Sequence, residues 1–513
     1  MAIRLTGMAS GMDTDTMVKD LVAAYRKKGE KLTKTQTKTE WKQEAWTELN
    51  NKVKTFFNKY ASEMRFSSAY AKKKTDVSDS SKASVLAGDN AVKGSQNLKI
   101  TELAKSGYLT GAKLSAKDAE GKDVKVTKDT KLSELGFTGS QKISIGFGEA
   151  DSEGKYANQT AEFDVDGDMT IAEFAKLVNN SSSGISASFD EANGRLFVNS
   201  TKSGKANDFH FVGGDDLSKL TDAVGLTGSD DAVRINGSDA EIYLNGAKFT
   251  SETNIFTING LTITAKDKTT GEGINLSTDT DYDGIYDQLK DFFKEYNSLV
   301  NEMSKLYNAA SSKGFDPLTS EEKEEMTDDE VEKWEGKIKD SLLRYDQNLN
   351  SVMNSMINPM LSVYEVNGTK YSLSSFGIET LGYFASTDNE RNAYHIDGDE
   401  DDSMTAGKTN KLKAMIASNP EDTAEFFQKL VNGLYQSMND IQKVSDDSKS
   451  YGSFFEDKQI KDDITAQKKK VTDWESKIAD IEEKYYKQFA AMESAMTKLN
   501  SQQSSIASLF GGQ

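Results

Sequence analysis

The aspartates near residue 280 have the residue types and the spacing that a calcium site would need. Asp279, Asp281 and Asp283, followed by Gly284, match the first half of an EF-hand loop. The twelfth position of such a loop carries a bidentate glutamate, but Lys290 stands there, and the preceding residues alternate like a strand. We therefore expect a turn from a strand into a helix, where carboxylates interact favourably with the helix dipole, and no calcium site.

Two other aspartate-rich runs and the two histidines carry weaker signals. The run 164–168 has its glycine misplaced for an EF-hand loop, and the run 397–402 beside His395 is expected to be a solvated loop that holds a cation only loosely. Cysteine is absent, which excludes thiolate nucleophiles, disulfides and thiolate metal sites. Neither His210 nor His395 has a nucleophile motif around it. The sequence therefore predicts no enzyme, no metal site and no cofactor.

Length, charge and hydrophobic content limit the number of domains and the kinds of partner that this chain can bind. The 513 residues correspond to roughly three or four domains. A net charge of −19 disfavours binding to nucleic acid or to an anionic membrane, because both need a basic surface. Hydrophobic residues make up only 36% of the chain, which suits small cores and helix seams. The longest apolar run, 21–25, is too short to cross a bilayer, and the first residues lack the apolar core of a secretory signal.

Residues 85–280 are expected to form β structure. They contain 23 of the 38 glycines, and glycine favours turns over helix interiors. Apolar and polar residues alternate in several segments, as in half-buried strands, and one short helix is expected at 170–178. Asn-Gly pairs, which close two-residue hairpins, occur at 193–194, 236–237, 245–246 and 259–260. We interpret 85–280 as an antiparallel, β-rich head region of two small domains.

Both ends of the chain show helical periodicity. Near the C-terminus apolar residues recur at every seventh position, with companions three residues further on, and near the N-terminus they step by three or four. The predicted seam comprises Ile464, Val471, Ile478, Tyr485, Met492 and Leu499, the companions Trp474 and Ile481, and the N-terminal residues Trp46, Leu49, Val53 and Phe56. Residues 33–39 are polar and rich in threonine, a poor helix former, so residues 1–40 are expected to be disordered or to form a coiled coil only on assembly.

These patterns predict an α+β fold. The terminal helices are expected to form an antiparallel coiled-coil or helical-bundle stalk, with β-rich antiparallel domains inserted between them. The expected divisions are an N-terminal leg segment (1–40), the first part of the helical bundle (41–84), the head region (85–280), the rest of the bundle (281–455) and a C-terminal leg helix (456–513). Capping-box spacings at 319–322 and 327–330 flank an acidic stretch, which we expect to be a solvated surface helix.

Five segments together resemble one protein family. The opening segment 7–18 has the pattern Gly-Met-x-Ser-Gly-Met-Asp-Thr-Asp, in which Met replaces the Leu of the family pattern. The closing helix 485–505 is the most specific match, and further similarity lies at 99–104, 245–264 and 281–297. On these residues the chain resembles the bacterial flagellar filament-cap family, also called hook-associated protein 2.

The resemblance implies a function in flagellar assembly. Members of this family form a ring, most often of five subunits, at the distal tip of the filament, where they retain exported flagellin and promote its folding and polymerisation. The implied partners are flagellin, further copies of this chain (a pentamer), the flagellar type III export apparatus and an export chaperone. The implied location is extracellular, reached by export without a cleaved signal peptide.

Paired terminal helices would bring both ends of the chain to the filament. The residues expected to contact the filament or flagellin are Leu5, Met8, Met12 and Val18 at one end and Ile506, Leu509 and Phe510 at the other. Two alternatives stay open. The β domains could bind host mucin or other glycans, as in an adhesin, or the chain could be a structural protein of the hook–filament junction, which also has paired terminal helices. The motif at 485–505 favours the cap.

Overall fold

The computed structural model describes residues 11–117, 121–382, 384–387, 389–443 and 447–510. The chain divides into two compact units: a helical unit, Met1–Tyr70 with Tyr282–Gln513, and a β unit, Ala71–Asp281. The helices are α1 (Thr14–Phe56), α2 (Ile171–Ser181), α3 (Leu217–Ala223), α4 (Tyr282–Tyr307), α5 (Ser320–Glu324), α6 (Asp328–Asp340), α7 (Gln347–Met360), α8 (Lys411–Ser418), α9 (Pro420–Gln442) and α10 (Asp457–Phe510). The mixed helical and antiparallel β architecture expected from the sequence is confirmed.

Every strand pair is antiparallel among the residues that the structure describes. The strands are β1 (Lys73–Val77), β2 (Ala83–Ala87), β3 (Gly94–Glu102), β4 (Ser106–Thr110), β5 (Ala116–Lys117), β6 (Asp123–Val124), β7 (Ser140–Ala150), β8 (Tyr156–Gln159), β9 (Phe163–Asp166), β10 (Ile185–Asp190), β11 (Arg195–Ser203), β12 (Phe209–Gly213), β13 (Val233–Ile235), β14 (Ala240–Leu244), β15 (Ala247–Ser251), β16 (Ile255–Ile258), β17 (Leu261–Ala265), β18 (Ile274–Thr280), β19 (Tyr364–Val366), β20 (Thr369–Tyr371), β21 (Ile378–Glu379) and β22 (His395–Ile396).

The helical unit is built around one hydrophobic core. The C-terminal part of α1 packs in this core with α4, α7 and α9, whose apolar residues recur every three or four positions and so face inward. Aromatic rings fill the centre: Phe56 and Phe292 lie 5.7 Å apart between ring centroids, and Phe376 stacks on Phe426 at 4.6 Å. Directly after α1 the chain continues as a short π-helical turn, Phe57–Ala61.

The β unit contains two hydrophobic cores. In the first, a five-stranded sheet of order β1-β18-β3-β14-β15 and a three-stranded sheet of order β16-β17-β2 share their buried residues. The second core is covered by the sheets β10-β11-β4-β13 and β12-β7-β8, with β9 beside β7, and by α2 and α3. Thr170 begins α2 with a capping box to Glu173, so the helix expected at 170–178 is present and continues to Ser181.

The Asn-Gly pairs behave differently from one another. Asn245 and Asn259 have φ angles of 51° and 48°, and the glycine after each is also left-handed, as a two-residue hairpin requires. The pair 193–194 lies in a four-residue loop, because Asp190 is the partner of Arg195. The pair 236–237 closes no hairpin: a Cβ on Gly237 would lie 2.7 Å from the carbonyl oxygen of Gly204, so this glycine allows a close approach of two backbones.

The boundaries between the units differ from the expected ones. The helical unit ends at Tyr70 rather than at residue 84, because β1 pairs with β18 and β2 pairs with β17, which ties residues 73–87 to the β unit. The second boundary, after Asp281, lies one residue beyond the expected one. The expected leg helix at 456–513 corresponds to α10, which begins at Asp457.

Candidate functional site

The candidate functional site is the pair of long terminal helices, α1 and α10. Three contacts define their arrangement: the hydroxyl of Tyr486 donates to Asp15 at 2.9 Å, Arg26 pairs with Glu482, and Lys468 pairs with Glu40 at 3.0 Å. As residue numbers rise along α1 they fall along α10, so the two helices are antiparallel. The paired region covers residues 15–40 of α1. Residues 1–40 were expected to order only on assembly, but in the single chain α1 is helical from Thr14 onward.

The two helices pack tightly against each other at Gly29. A Cβ at this position would lie 3.2 Å from Cδ1 of Trp474 and 3.4 Å from Cδ1 of Ile478. Trp474 also stacks on Tyr25, with ring centroids 6.5 Å apart, and Lys28 holds its ammonium 4.3 Å from the indole ring. The sequence did not indicate Gly29 as a candidate residue. A single glycine within a helical pattern indicates only that the helix is less stable there, and it does not indicate which residue the glycine contacts.

The predicted seam residues fall into three groups. Trp46, Leu49, Val53 and Phe56 are buried in the core of the helical unit, where Trp46 stacks on Phe455 just before α10. Ile464 is buried, and Val471, Trp474, Ile478, Ile481 and Tyr485 are half-buried along α10. Met492 and Leu499, which lie beyond the residue that meets Asp15, are exposed, with 36% and 63% of their surface accessible.

The expected contact residues are placed unevenly. Leu5 and Met8 lie outside the described residues, as do the side chains of Leu509 and Phe510. Met12 is half-buried, whereas Ile506 is exposed. Val18 is 1% exposed, so it packs inside the protein and is not available for direct contact with a partner. The exposure of Val18, Met492 and Leu499 could not be read from the sequence, because the spacing of apolar residues identifies one face of a helix but not what covers that face.

Two exposed apolar stripes accompany the helix pair. Met17 and Leu21 lie four residues apart and share an exposed face of α1, whereas Tyr25, seven residues after the buried Val18, lies toward α10 and stacks on Trp474. Sequence reasoning missed this first stripe, although its i, i+4 spacing was available as a signal. The second stripe is Met492, Leu499 and Ile506, spaced by seven on α10. Beyond Tyr486 this helix runs to Phe510, about 36 Å at 1.5 Å per residue.

The aspartate run 397–402 is ion-paired and not a solvated loop. Asp397 binds Lys408 at 2.8 Å, and Asp402 lies 2.6 Å from Nδ1 of His395. Lys290, which stood at the twelfth position of the EF-hand pattern, binds Asp399 and Asp401. Burial opposes the charge of Lys290, but its hydrogen bonds to these two carboxylates raise the pKa above the usual range.

The other aspartates are also held by the protein. Asp279 lies at the end of β18, where the amide of Thr280 and the ammonium of Lys93 lower its pKa, and Asp283 lies in the first turn of α4. The expected turn from a strand into a helix is therefore present. In the described parts of the chain no group of three or more His, Cys, Asp or Glu side chains is arranged to hold a metal ion. No helix in these parts has both the length and the apolar character to cross a bilayer.

Two family models match this chain. The model of the flagellar hook-associated protein 2 C-terminus matches residues 237–501, and that of the N-terminus of the same family matches residues 10–107. The chain belongs to the flagellar hook-associated protein 2 family. The N-terminal match includes all of α1 and the C-terminal match includes most of α10, so both members of the helix pair belong to the family-specific parts.

The chain is also similar to individual proteins, and one of these similarities covers almost its whole length. The flagellar hook-associated protein 2 of Halalkalibacterium halodurans is 25% identical over 544 residues, covering 99% of this chain and all of that protein. The protein of the same name from Thermotoga maritima is 23% identical, covering 70% of this chain and 55% of its own length. Among solved structures, the D1-D2-D3 domains of the Escherichia coli flagellar cap protein are 17% identical, with a TM-score of 0.46, over 77% of this chain and 97% of that one.

Proposed function

We propose that this protein caps the flagellar filament. In this proposal five copies form a ring at the distal tip outside the cell, where the ring retains exported flagellin and promotes its folding and polymerisation. Family membership supports the flagellar role. The observation that carries the proposal is the antiparallel helix pair α1–α10, which presents exposed apolar side chains along a slender surface suited to contact other helices.

The end of α10 is the part best suited to contact flagellin. Met492, Leu499 and Ile506 repeat at the heptad spacing, which is the pattern by which one helix packs against another in a coiled coil. Burying three such side chains against a partner helix would contribute several kcal/mol, at about 1.5–3 kcal/mol each. Met17 and Leu21 on α1 offer a second, smaller surface of the same kind.

The helix pair is also weakly packed, which suits a contact that changes as subunits are added. Within α1, which is described from end to end, no residue between Val22 and Trp46 is buried. Its contacts with α10 in this stretch are ion pairs, an aromatic stack and half-buried side chains. Such contacts rearrange at lower cost than a close-packed apolar core. Export through the flagellar type III apparatus with the help of a chaperone is part of the same proposal.

The test uses a strain that lacks the gene for this chain. Complementation with L499D/I506D is expected to leave flagellin secreted as monomers and filaments absent, because two carboxylates oppose burial against a partner helix. The matched control is Leu361→Asp, since Leu361 is 67% exposed in the helical unit but lies outside both helices of the pair. Normal filaments with L499D/I506D, or equal loss with L361D, would contradict the proposal. Gold labelling at the base of the filament rather than at its tip would favour the junction protein.

Glycan binding is a second candidate function, and one surface favours it. In the sheet β10-β11-β4-β13, Ile235 lies opposite Tyr108, and both are exposed together with Val233 on the edge strand. Tyr108 lies 6.4 Å from the ring of Phe197, so the face presents aromatic surface of the kind on which sugar rings stack. Mucin binding by the full chain that is lost in Tyr108→Ala, with filament assembly retained, would support an adhesin function.

A further inference from the structure

An acidic segment of the helical unit lies along α1. This segment, residues 308–346, joins α4 to α7 and contains α5 and α6. Three ion pairs connect it to α1: Lys34 with Glu322 at 2.7 Å, Lys38 with Asp316 at 2.6 Å and Lys42 with Asp346 at 2.7 Å. In addition, the ammonium of Lys339 lies 4.7 Å from the ring of Trp41. The contacts thus extend over more than two turns of α1.

The three lysines form one row on α1. They are spaced by four residues and therefore share one face of the helix. Glu40, which pairs with α10, lies two residues from both Lys38 and Lys42, which places it about 200° around the helix from them. The acidic segment and α10 accordingly hold α1 from roughly opposite sides. The charges are complementary: residues 26–42 carry seven Lys or Arg and two Glu, and residues 319–335 carry nine Asp or Glu and two Lys.

Three buried apolar residues, Pro317, Ile338 and Leu343, anchor the acidic segment, and Leu343 belongs to the core of the helical unit. Throughout α5, which is fully described, no residue is buried, and in α6 only Glu335 and Ile338 are buried. The segment keeps its own shape through local contacts. Phe315 packs edge-on against Trp334, with ring centroids 4.6 Å apart, and the indole of Trp334 donates to the carbonyl oxygen of Asp316 at 2.9 Å. The contacts that join Asp316 and α5 to α1, Lys38 with Asp316 and Lys34 with Glu322, are ionic.

The part of α1 that the segment covers needs external support. Residues 33–39 contain four threonines, which are poor helix formers, and three of them return their hydroxyls to the carbonyl four residues earlier, a bond that slightly destabilises helices. The same stretch lies in the part of α1 without buried side chains. Lys34, Lys38 and their carboxylate partners lie in and beside this stretch.

We propose that residues 308–346 are an ionic brace that keeps the threonine-rich part of α1 helical and that loosens as ionic strength rises. The exposed ion pairs Lys34–Glu322 and Lys38–Asp316 weaken when salt screens them, whereas apolar packing does not. The pair Lys42–Asp346 is screened less, because the side chain of Asp346 is 7% exposed. The brace therefore makes the stiffness of α1, at the point where it leaves the core of the helical unit, depend on its ionic surroundings. This inference concerns the isolated chain and does not depend on the proposed cap function.

The test is hydrogen–deuterium exchange of the full chain, followed by mass spectrometry. In Lys38→Glu, the amides of residues 34–42 and 312–324 are expected to exchange several-fold faster than in the unmodified chain at about 0.05 M salt. Raising the salt to about 1 M is expected to bring the unmodified chain close to the variant. The charge-swapped variant K38E/D316K is expected to restore slow exchange, because the pair is re-formed with opposite polarity.

The matched control is Lys27→Glu, which makes the same change of charge at an exposed position of the same helix. It is expected to leave exchange at 34–42 unchanged. Equal exchange in K38E and the unmodified chain, rates that do not respond to salt, or failure of the swap to restore protection would each overturn the brace. Filament assembly is not measured, so these outcomes are separate from failure of the cap proposal.

Discussion

The indole N–H of Trp474 in α10 donates to the backbone carbonyl oxygen of Tyr25 in α1 at 2.9 Å. One residue of α10 thus stacks on a tyrosine ring, bonds to its backbone and lies against the only glycine of the paired part of α1. A glycine within a helix costs about 1 kcal/mol relative to alanine, so its presence fits the need for close approach of the two helices.

A graded series at Gly29 tests this close approach. Gly29→Ala is expected to be near neutral, because the gain in helix propensity of about 1 kcal/mol offsets a contact that is tight by a few tenths of an ångström. Gly29→Leu is expected to push α10 away, because its longer side chain meets Trp474 and Ile478 directly. Spin labels at residues 27 and 475, introduced as cysteines into this cysteine-free chain, measure the separation. An unchanged distance distribution in G29L would rule out the contact.

Two buried tyrosines test how much a hydrogen bond of the hydroxyl group contributes to the stability of the helical core. The hydroxyl of Tyr296 is fully buried and has no hydrogen-bond partner in the part of the chain that the structure describes, whereas that of Tyr70 donates to the carbonyl oxygen of Met64 at 2.8 Å. Tyr296→Phe is therefore expected to leave the free energy of unfolding unchanged or to raise it by about 1 kcal/mol. Tyr70→Phe is expected to lower it by about 1 kcal/mol.

Denaturant unfolding of the two tyrosine variants provides the measurement, and each serves as the control for the other because both changes remove one hydroxyl. The reverse order of stabilities would show that Tyr296 has a partner, such as a buried water, that supports the core.

The lysine at position 290 is predicted to stabilise the loop that carries the aspartate run. Lys290→Met leaves Asp399, whose side chain is 11% exposed, without its cation, and is expected to cost about 2–4 kcal/mol. Adding Asp399→Asn is expected to recover part of this loss, since the uncompensated charge is removed. The control is Lys305→Met on the exposed face of the same helix. Equal unfolding free energies for K290M and K305M would show that the pair is not needed.

The stability of the β unit is predicted to fall in mild acid. Burial and the nearby guanidinium of Arg234 lower the pKa of His210 below its usual value of 6.5, while Asp208 opposes them. The unfolded chain therefore binds more protons here than the folded one, so stability present above pH 6.5 is lost as the pH falls through the folded pKa. In His210→Gln, the decline between about pH 7 and pH 5 is expected to be shallower. The same slope in both proteins would exclude His210 as its source.

Sequence periodicity predicted the helices well, because burial of one face imposes it directly. The heptad pattern of α10 is recovered as a 54-residue helix, and two of the Asn-Gly pairs close two-residue hairpins with left-handed φ angles. The family resemblance, drawn from residues at both ends of the chain, is confirmed by the matches to both family models.

What sequence could not provide was the pairing of distant segments. Residues 71–84 lack a decisive local signal, and it is their partners β17 and β18, nearly 200 residues away, that make them strands. The aspartate run 397–402 appeared solvated because its cations come from elsewhere in the chain, among them Lys290 on α4. The exposure of Leu499 depends on which other segments lie beside α10, and periodicity within one helix does not report that.

The meeting of Asp15 with Tyr486 has a kinetic consequence. The contact joins groups separated by 471 residues, so almost the entire chain is the loop that must close before it forms. Loop-closure entropy grows with that separation, and contacts of such range form late in folding. During folding the pair of terminal helices is therefore expected to be completed late, when both ends of the chain are free to meet, whereas contacts within the β unit close much shorter loops.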